Sequence, residues 1–582
     1  MLVLACSCSS IGLKFSTKGA NPQTEPPPAE PPSAPALTEP QAQLPVDIAA
    51  PENAQFSPDT LYNLLVGELA VYNRDIETAA RNYYREAINT RDPQIAARAA
   101  QLARYLRDAH TAMEMAALWH EVDPLNNRAA ENLADMYART NQPLRALSML
   151  EQQMQAGEKP GFGILRNSDL PKGSEQLAQV INELERLSGQ DRSNNFSLLF
   201  THALLLQKNG NNAEALAQIH NLRRFDGDPV QLAIIEAQLQ SELGKHKAAV
   251  KVLRKALRKN PDERSLKVAY ARKLTQTDLP LAEKIFAELL QETPNDVTLL
   301  KSHGLIAAEN KHYAAAQNSL HRLLQNNRET SFAQYNLGLI EEARDDKTLA
   351  LGHYQKVQPG DYYLPATKKI VVLLAGQQQM DQARDYLATL RVNHPQQSPL
   401  FWKLEAELNR DTGDMGEALQ VLGRAISQHP NNINLRLERS LIAEKLNDLA
   451  LVEHDLRFVL NLDPDNVIAL NALGYVLADR TDRYDEALEL IEKAIALKPD
   501  DAAIMDSLGW VQFKLGQTTL AQHNLEKAYA EFPDDEIAAH LIELYWSIEE
   551  QRSARKIYRS IRKHTDDHPK VDAVMRRLQI RF

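Results

Sequence analysis

Between Asp465 and Pro533 the chain writes one pattern of small and large apolar positions twice. DNVIALNALGYVLADRTDRYDEALELIEKAIALKP is followed by DDAAIMDSLGWVQFKLGQTTLAQHNLEKAYAEFP, and the halves match when aligned on their prolines. Leu473-Gly474 falls on Leu508-Gly509, Ala487 on Ala521, Ile491 on Leu525, Ala494 on Ala528 and Pro499 on Pro533. Apolar residues at helical spacing predict two antiparallel helices per half. The small residues Gly474, Ala487 and Ala494 mark where those helices approach closely, with larger apolar residues filling between them. Proline closes the second helix, because it lacks an N–H and disfavours helix in the residue before it.

The same pattern runs along most of the chain. A first unit, from Leu61 to Pro93, places Gly67, Ala80, Tyr84 and Ala87 at the expected spots. A second ends at Pro124, and a third carries Leu133, Ala134, Tyr137, Ala146 and Leu150. The stretch 158–174, EKPGFGILRNSDLPKGS, breaks the pattern with glycine and proline. Helical spacing returns through Leu177, Ile181, Leu184 and Leu187, so 158–194 reads as a degenerate repeat or a hinge. Further unit ends fall at Pro229, Pro261 and Pro294, then at Arg328 in place of a proline. After an irregular turn at 358–365 they continue at Pro395, Pro430, Pro464, Pro499 and Pro533.

A small-large-small pattern at a period near 34 resembles the tetratricopeptide repeat (TPR) family, built of helix-turn-helix units. The resemblance implies an all-α fold, a TPR α-solenoid coiled into a right-handed superhelix. The expected layout is a lipoprotein signal remnant (1–8), a Pro-rich disordered tether (9–56) and N-terminal repeats (57–157). The degenerate segment (158–194), middle repeats (195–360), C-terminal repeats (361–564) and a capping helix (565–582) complete it. In the family, the first helix of each unit lines a concave groove. Carried onto this chain, that implies a partner-binding groove of Lys301, Tyr335, Trp402, Asn471, Tyr475, Asp479, Asp506, Trp510 and Lys514. Aromatic rings would supply contact area there and polar groups would fix a peptide's register; the alternative for each ring, and an equal one for Trp510, is packing against the neighbouring repeat.

Composition narrows the function. A net charge of −11 and a pI near 5.9 argue against a general nucleic-acid binder. The basic runs Lys251–Lys273 and Arg552–Arg581 read as solvated faces. No Gly-rich phosphate loop or Gly-x-Ser-x-Gly elbow occurs, and His120-Glu121 lacks the second histidine of a zinc-protease motif. The expectation is therefore a non-enzyme without metal or cofactor.

The only cysteines are Cys6 and Cys8. The opening MLVLACSCSS resembles the end of a bacterial lipoprotein signal, which implies lipidation at Cys6, with Cys8 the alternative. The short apolar run and the absence of a basic segment before it place the true start upstream. Ser7 rather than Asp implies the outer membrane. Ten prolines between Pro22 and Pro51 predict an extended tether with a reach on the order of 100 Å.

Together with RDPQIAARAAQLARYLRD (91–108) and NALGYVLADRTDRYDEALELIEKAIALKPDDAAIMDSLGW (471–510), this start resembles the proteobacterial TPR outer-membrane lipoproteins. One characterised kind is the partner of a periplasmic carboxyl-terminal processing protease. The likeness implies an adaptor that holds this serine protease and brings it cell-wall hydrolases, with no nucleic acid involved. The competing reading is a scaffold lipoprotein for envelope assembly of a pilus, secretin or polysaccharide exporter. A cytoplasmic co-chaperone is a third.

Overall fold

The computed structural model describes residues 56–190, 195–225, 227–562 and 567–582. Cys6, Cys8 and the Pro-rich stretch lie outside them. The described residues form thirty α-helices and two short 3-10 turns, without a strand. They fall into two units, the first up to Arg322 and the second from Leu323. Each is an α-solenoid of antiparallel helical pairs in which every pair packs on the next.

Glycine sets the closest approach within a pair. A Cβ added at Gly474 would lie 2.5 Å from Ile491 Cγ1 and 3.0 Å from the Ala487 carbonyl oxygen. At Gly509 it would meet Leu525 Cγ at 2.6 Å, and at Gly338 the ring of Tyr354 at 2.4 Å. Ala487, Ala494, Ala521 and Ala528 are fully buried on the facing helices. A larger residue at any of these positions would push two backbones apart.

Helix starts are written in short polar side chains. Asn466 accepts from the Ala469 N–H at 3.0 Å, Asp501 from Ala503 at 3.0 Å and Asp534 from Glu536 at 2.8 Å. Each satisfies a donor that the helix itself leaves free. Stops follow proline at several second helices, where the residue before it leaves helical dihedrals: His429 before Pro430, Asp463 before Pro464, Lys498 before Pro499. Pro93 and Pro229 work the other way. Each is the first residue of a helix, Pro93–Tyr105 and Pro229–Glu242, where its missing N–H has no partner to lose.

Turns between the two helices of a pair carry a second punctuation. Left-handed residues recur there at Arg74, Arg107, Asn141, Gly210, Gly244, Lys311, Asp345, Gln378, Gly413, Asn447, Gly516 and Glu549. The pair Val467–Arg480 and Tyr484–Leu497 has no such residue and turns through an extended Thr481 instead. The first helix and turn here hold one residue more than the next unit's. That is why Gly474 and Gly509 are 35 apart while Ala487 and Ala521 are 34 apart.

The glycine- and proline-rich stretch is packed. Phe162, Leu165 and Leu170 are fully buried around the 3-10 turn Phe162–Asn167, which stands where a first helix would. Ser168 Oγ donates to the Ala138 carbonyl at 2.9 Å, and Asn167 Nδ2 to Asp135 at 2.8 Å. Helix Glu175–Gln190 follows it as the second member of the pair. At the other end, Pro569–Arg577 packs on Asp535–Ser547, and the Asp535 carboxylate accepts the Lys570 and Val571 N–H groups at 2.7 and 3.2 Å.

Candidate partner-binding surface

In the second unit the first helices Val467–Arg480, Ala502–Lys514 and Asp535–Ser547 stack side by side, with Pro569–Arg577 against the last. Residues four apart lie on one face of a helix, so Asn471, Tyr475 and Asp479 form one row and Asp506, Trp510 and Lys514 the next. Asp535–Ser547 adds Glu536 and His540. Asn471, Asp506 and His540 hold the same register in three successive units, spaced 35 and 34 residues apart.

These rows meet. The His540 ring stacks on Trp510 with centroids 4.1 Å apart, and its Nδ1 lies 2.9 Å from Asp506 Oδ1. Tyr475 OH donates to Glu536 Oε1 at 2.7 Å, and the Lys570 ammonium reaches the same oxygen at 2.6 Å. Lys514 Nζ sits 4.4 Å above the Trp510 ring, a cation–π contact. Asn471 Oδ1 and Trp510 Nε1 are buried with no hydrogen-bond partner among the described residues.

Charge is concentrated here. Burial pushes the Tyr475 phenol up, and the Glu536 and Asp479 carboxylates push it further. Burial also raises Glu444, on Ile433–Lys445, and the Glu536 charge adds to it. Burial alone would raise Glu536 too, but hydrogen bonds from Lys570 and Tyr475 outweigh that and hold it below the usual carboxylate range. Lys570 is correspondingly raised: the Glu536 hydrogen bond and charge, with Asp479 and Glu444, overcome its desolvation.

The structure corrects how open the expected groove residues are. Trp510 is 3 % exposed and Asp506 6 %, because the next unit lays His540 across them. Trp402 is 8 % exposed, with the Arg391 guanidinium 3.7 Å over its ring and its Nε1 without a partner among the described residues. Tyr335 is half-buried between Tyr354 and Tyr362, at centroid distances of 5.7 and 5.5 Å. Asn471 is half-buried. Asp479 pairs with Arg480 at 2.8 Å. Lys301 lies in the first unit, on Val297–Glu309, and Tyr335 and Trp402 lie on other helices of the second. The cluster thus unites Tyr475, Asp506, Trp510 and Lys514 and adds Glu444, Glu536, His540 and Lys570. Carrying the 34-residue register one unit past Asp506 finds His540; no local signal marks the other three.

Stacked helical pairs with a side-chain-rich first-helix face define a class of protein that binds other proteins. A tetratricopeptide repeat model matches residues 200–263, 302–363, 369–433 and 437–502. TPR repeat-containing protein PA4667 of Pseudomonas aeruginosa is 34% identical over 497 residues, covering 85% of this chain and 84% of that one. Bacteriophage adsorption protein A of Escherichia coli is 32% identical over 124 residues, 21% of this chain and 12% of that protein. Yeast Tom70 superposes with a TM-score of 0.30 at 13% identity, over 90% of this chain and 99% of that one. The chain belongs to the tetratricopeptide repeat family.

Proposed function

We propose that the chain is a non-enzymatic adaptor and that the cluster around Tyr475 and Trp510 is a docking face for a polypeptide. The observation that carries this is the register of Asn471, Asp506 and His540. Three successive first helices bring polar and aromatic groups to one face, where a purely structural stack would place apolar ones. Two buried polar atoms there stay unpaired, which costs folding free energy. The buried layer of Asp506, Trp510 and His540 holds an accessible layer of Asp479, Lys514, Glu536 and Lys570 in place.

At finer grain, the adaptor is an outer-membrane lipoprotein anchored through Cys6 and facing the periplasm. Its partner is a serine protease of the carboxyl-terminal processing type, to which it presents cell-wall hydrolases. The opening MLVLACSCSS and the likeness to the lipoprotein group support this reading. The mechanism is tethering: a protease and a substrate held on one array gain effective concentration without new chemistry.

The test is co-purification from membranes with mass spectrometry, then a degradation assay with purified protease, substrate and this protein. Asp479→Lys with Lys514→Glu should abolish stimulation while leaving the helical spectrum unchanged. Equal stimulation by the variant removes the docking face. Recovery of pore or export subunits without a protease replaces the adaptor with an envelope scaffold.

A further inference from the structure

The helix His246–Lys259 lies in the first unit and is the second helix of its pair. From Lys245 to Lys259 the chain has seven Lys or Arg and no Asp or Glu, in a protein of net charge −11. Lys247, Lys251, Arg254, Lys255, Arg258 and Lys259 are all exposed. None of the six forms an ion pair with a described residue. Arg254 alone has a polar partner, donating to the Tyr270 hydroxyl at 3.1 Å.

Helix stability does not account for this arrangement. Lys247–Lys251, Lys251–Lys255, Arg254–Arg258 and Lys255–Lys259 are like-charge neighbours four apart, each of which weakens a helix. Cations suit the last turn, but Lys245 and Lys247 stand at the N-terminal end, against the helix dipole. Lys245 also occupies the N-cap position and makes no capping bond.

A groove flanks this helix on each side, of about 440 and 590 Å³. The first has an apolar floor of Phe225, Leu232, Val252 and Ala256 beneath a rim of Lys251, Lys255 and Lys259. Among the described residues, the carboxylates that line the grooves, Glu236 and Asp278, are already engaged. Glu236 is held by Arg223 and by His220 at 3.1 Å, and Asp278 caps the next helix through the Leu281 N–H at 3.2 Å. From Lys247 to Arg258 the cations span about 16 Å along the axis, at 1.5 Å per residue.

We infer that this face is a second docking surface, one that takes an extended acidic segment of a partner protein, its carboxylates on the cations and its small apolar side chains in the groove floor. Charge complementarity selects an anion, and the apolar floor selects a polypeptide. A flat lipid surface would touch only the cation tips and leave the floor empty. This surface is independent of the first-helix cluster and stands whether or not that cluster binds anything.

The experiment is fluorescence anisotropy on the full chain with a labelled twelve-residue peptide alternating Glu and Ala around a central Leu. The Gln counterpart of that peptide is one control. Vesicles containing anionic phosphatidylglycerol and a single-stranded oligonucleotide are the others. The Glu peptide should bind, weaken at least tenfold between low and physiological salt, and weaken at least tenfold again with Lys251→Glu, Lys255→Glu and Arg258→Glu together. A milder Lys251→Gln, Lys255→Gln variant, which keeps the helix free of new charge, should show a smaller loss with an unchanged thermal melt. Equal binding of the Glu and Gln peptides, or indifference to both variants, overturns the inference. Capture of vesicles or oligonucleotide without the peptide overturns it in favour of those anions. Binding that emerges only after Glu25, Glu30, Glu39, Asp47 and Glu52 are neutralised overturns the partner assignment, giving the face to the chain's own acidic N-terminal stretch.

Discussion

Replacing Gly474 with alanine should weaken the protein, although alanine is the better helix former. In a helix interior Gly→Ala gains about 1 kcal/mol of propensity. Against that, the new Cβ would stand 3.0 Å from the Ala487 carbonyl oxygen and 2.5 Å from Ile491 Cγ1. Ile491 is fully buried and has nowhere to swing. The carbonyl belongs to the backbone of Tyr484–Leu497, so the helix itself must shift. Such overpacking typically costs about 1–3 kcal/mol. Gly423 supplies the control, because it is also within a helix, Met415–Gln428, and a Cβ there meets nothing within 4 Å. Propensity cancels between the two variants, so their difference in stability reads the clash alone, about 1–3 kcal/mol. A repeat array need not unfold in one step, so a melt alone is insufficient. Urea titration by circular dichroism should therefore be joined to hydrogen exchange of the segments covering 467–497. Gly474→Ala should speed exchange there and Gly423→Ala should slow it around 415–428. Equal stability of the two variants would refute the close-contact argument.

The fully buried Asp455 is held by Arg436 at 3.0 Å and Arg439 at 2.7 Å; Asp455→Ala should cost about 3–5 kcal/mol in urea unfolding by stranding buried guanidinium charge. Glu536 is held below its ordinary value, so it stabilises the fold above pH 4.5 and that contribution is lost as pH falls through its lower folded-state value. Thermal melts from pH 7 to 3 should accordingly show a shallower acid loss for Glu536→Gln than for the parent. Lipid labelling in cells should disappear with Cys6→Ser; labelling lost only with Cys8→Ser would move the anchor.

The helical pairs were legible because their constraint is local. A small residue at Gly474 facing Ala487 and Ile491 is written in the sequence itself, and so is the repeat period. Trp510 was legible as a ring on the right face that either packs against the neighbouring repeat or meets a partner, and the structure decides for packing. In an isolated unit that ring would be a surface group; it becomes interior when the following unit brings His540 onto it. Trp402 is covered in the same way by Arg391 of the preceding helix. The contribution of Glu444 and Lys570 depends on where two further helices end, which periodicity does not encode. Prolines misled at Pro93 and Pro229 because the residue serves equally well to stop one helix and to start another.

The left-handed turns carry a different lesson. Arg, Asn, Lys, Asp, Gln and Glu occupy eight of those twelve recurring positions and glycine only four. A side chain in that conformation costs roughly 1–2 kcal/mol. The array therefore holds eight small, separately adjustable weaknesses, each in the turn between the two helices of a pair, while other pairs turn through glycine or without a left-handed residue. Opening should begin at repeats with a side chain in the turn and pause at those with glycine. The order in which the protein unravels is thus biased by single exposed residues in the turns rather than by the core.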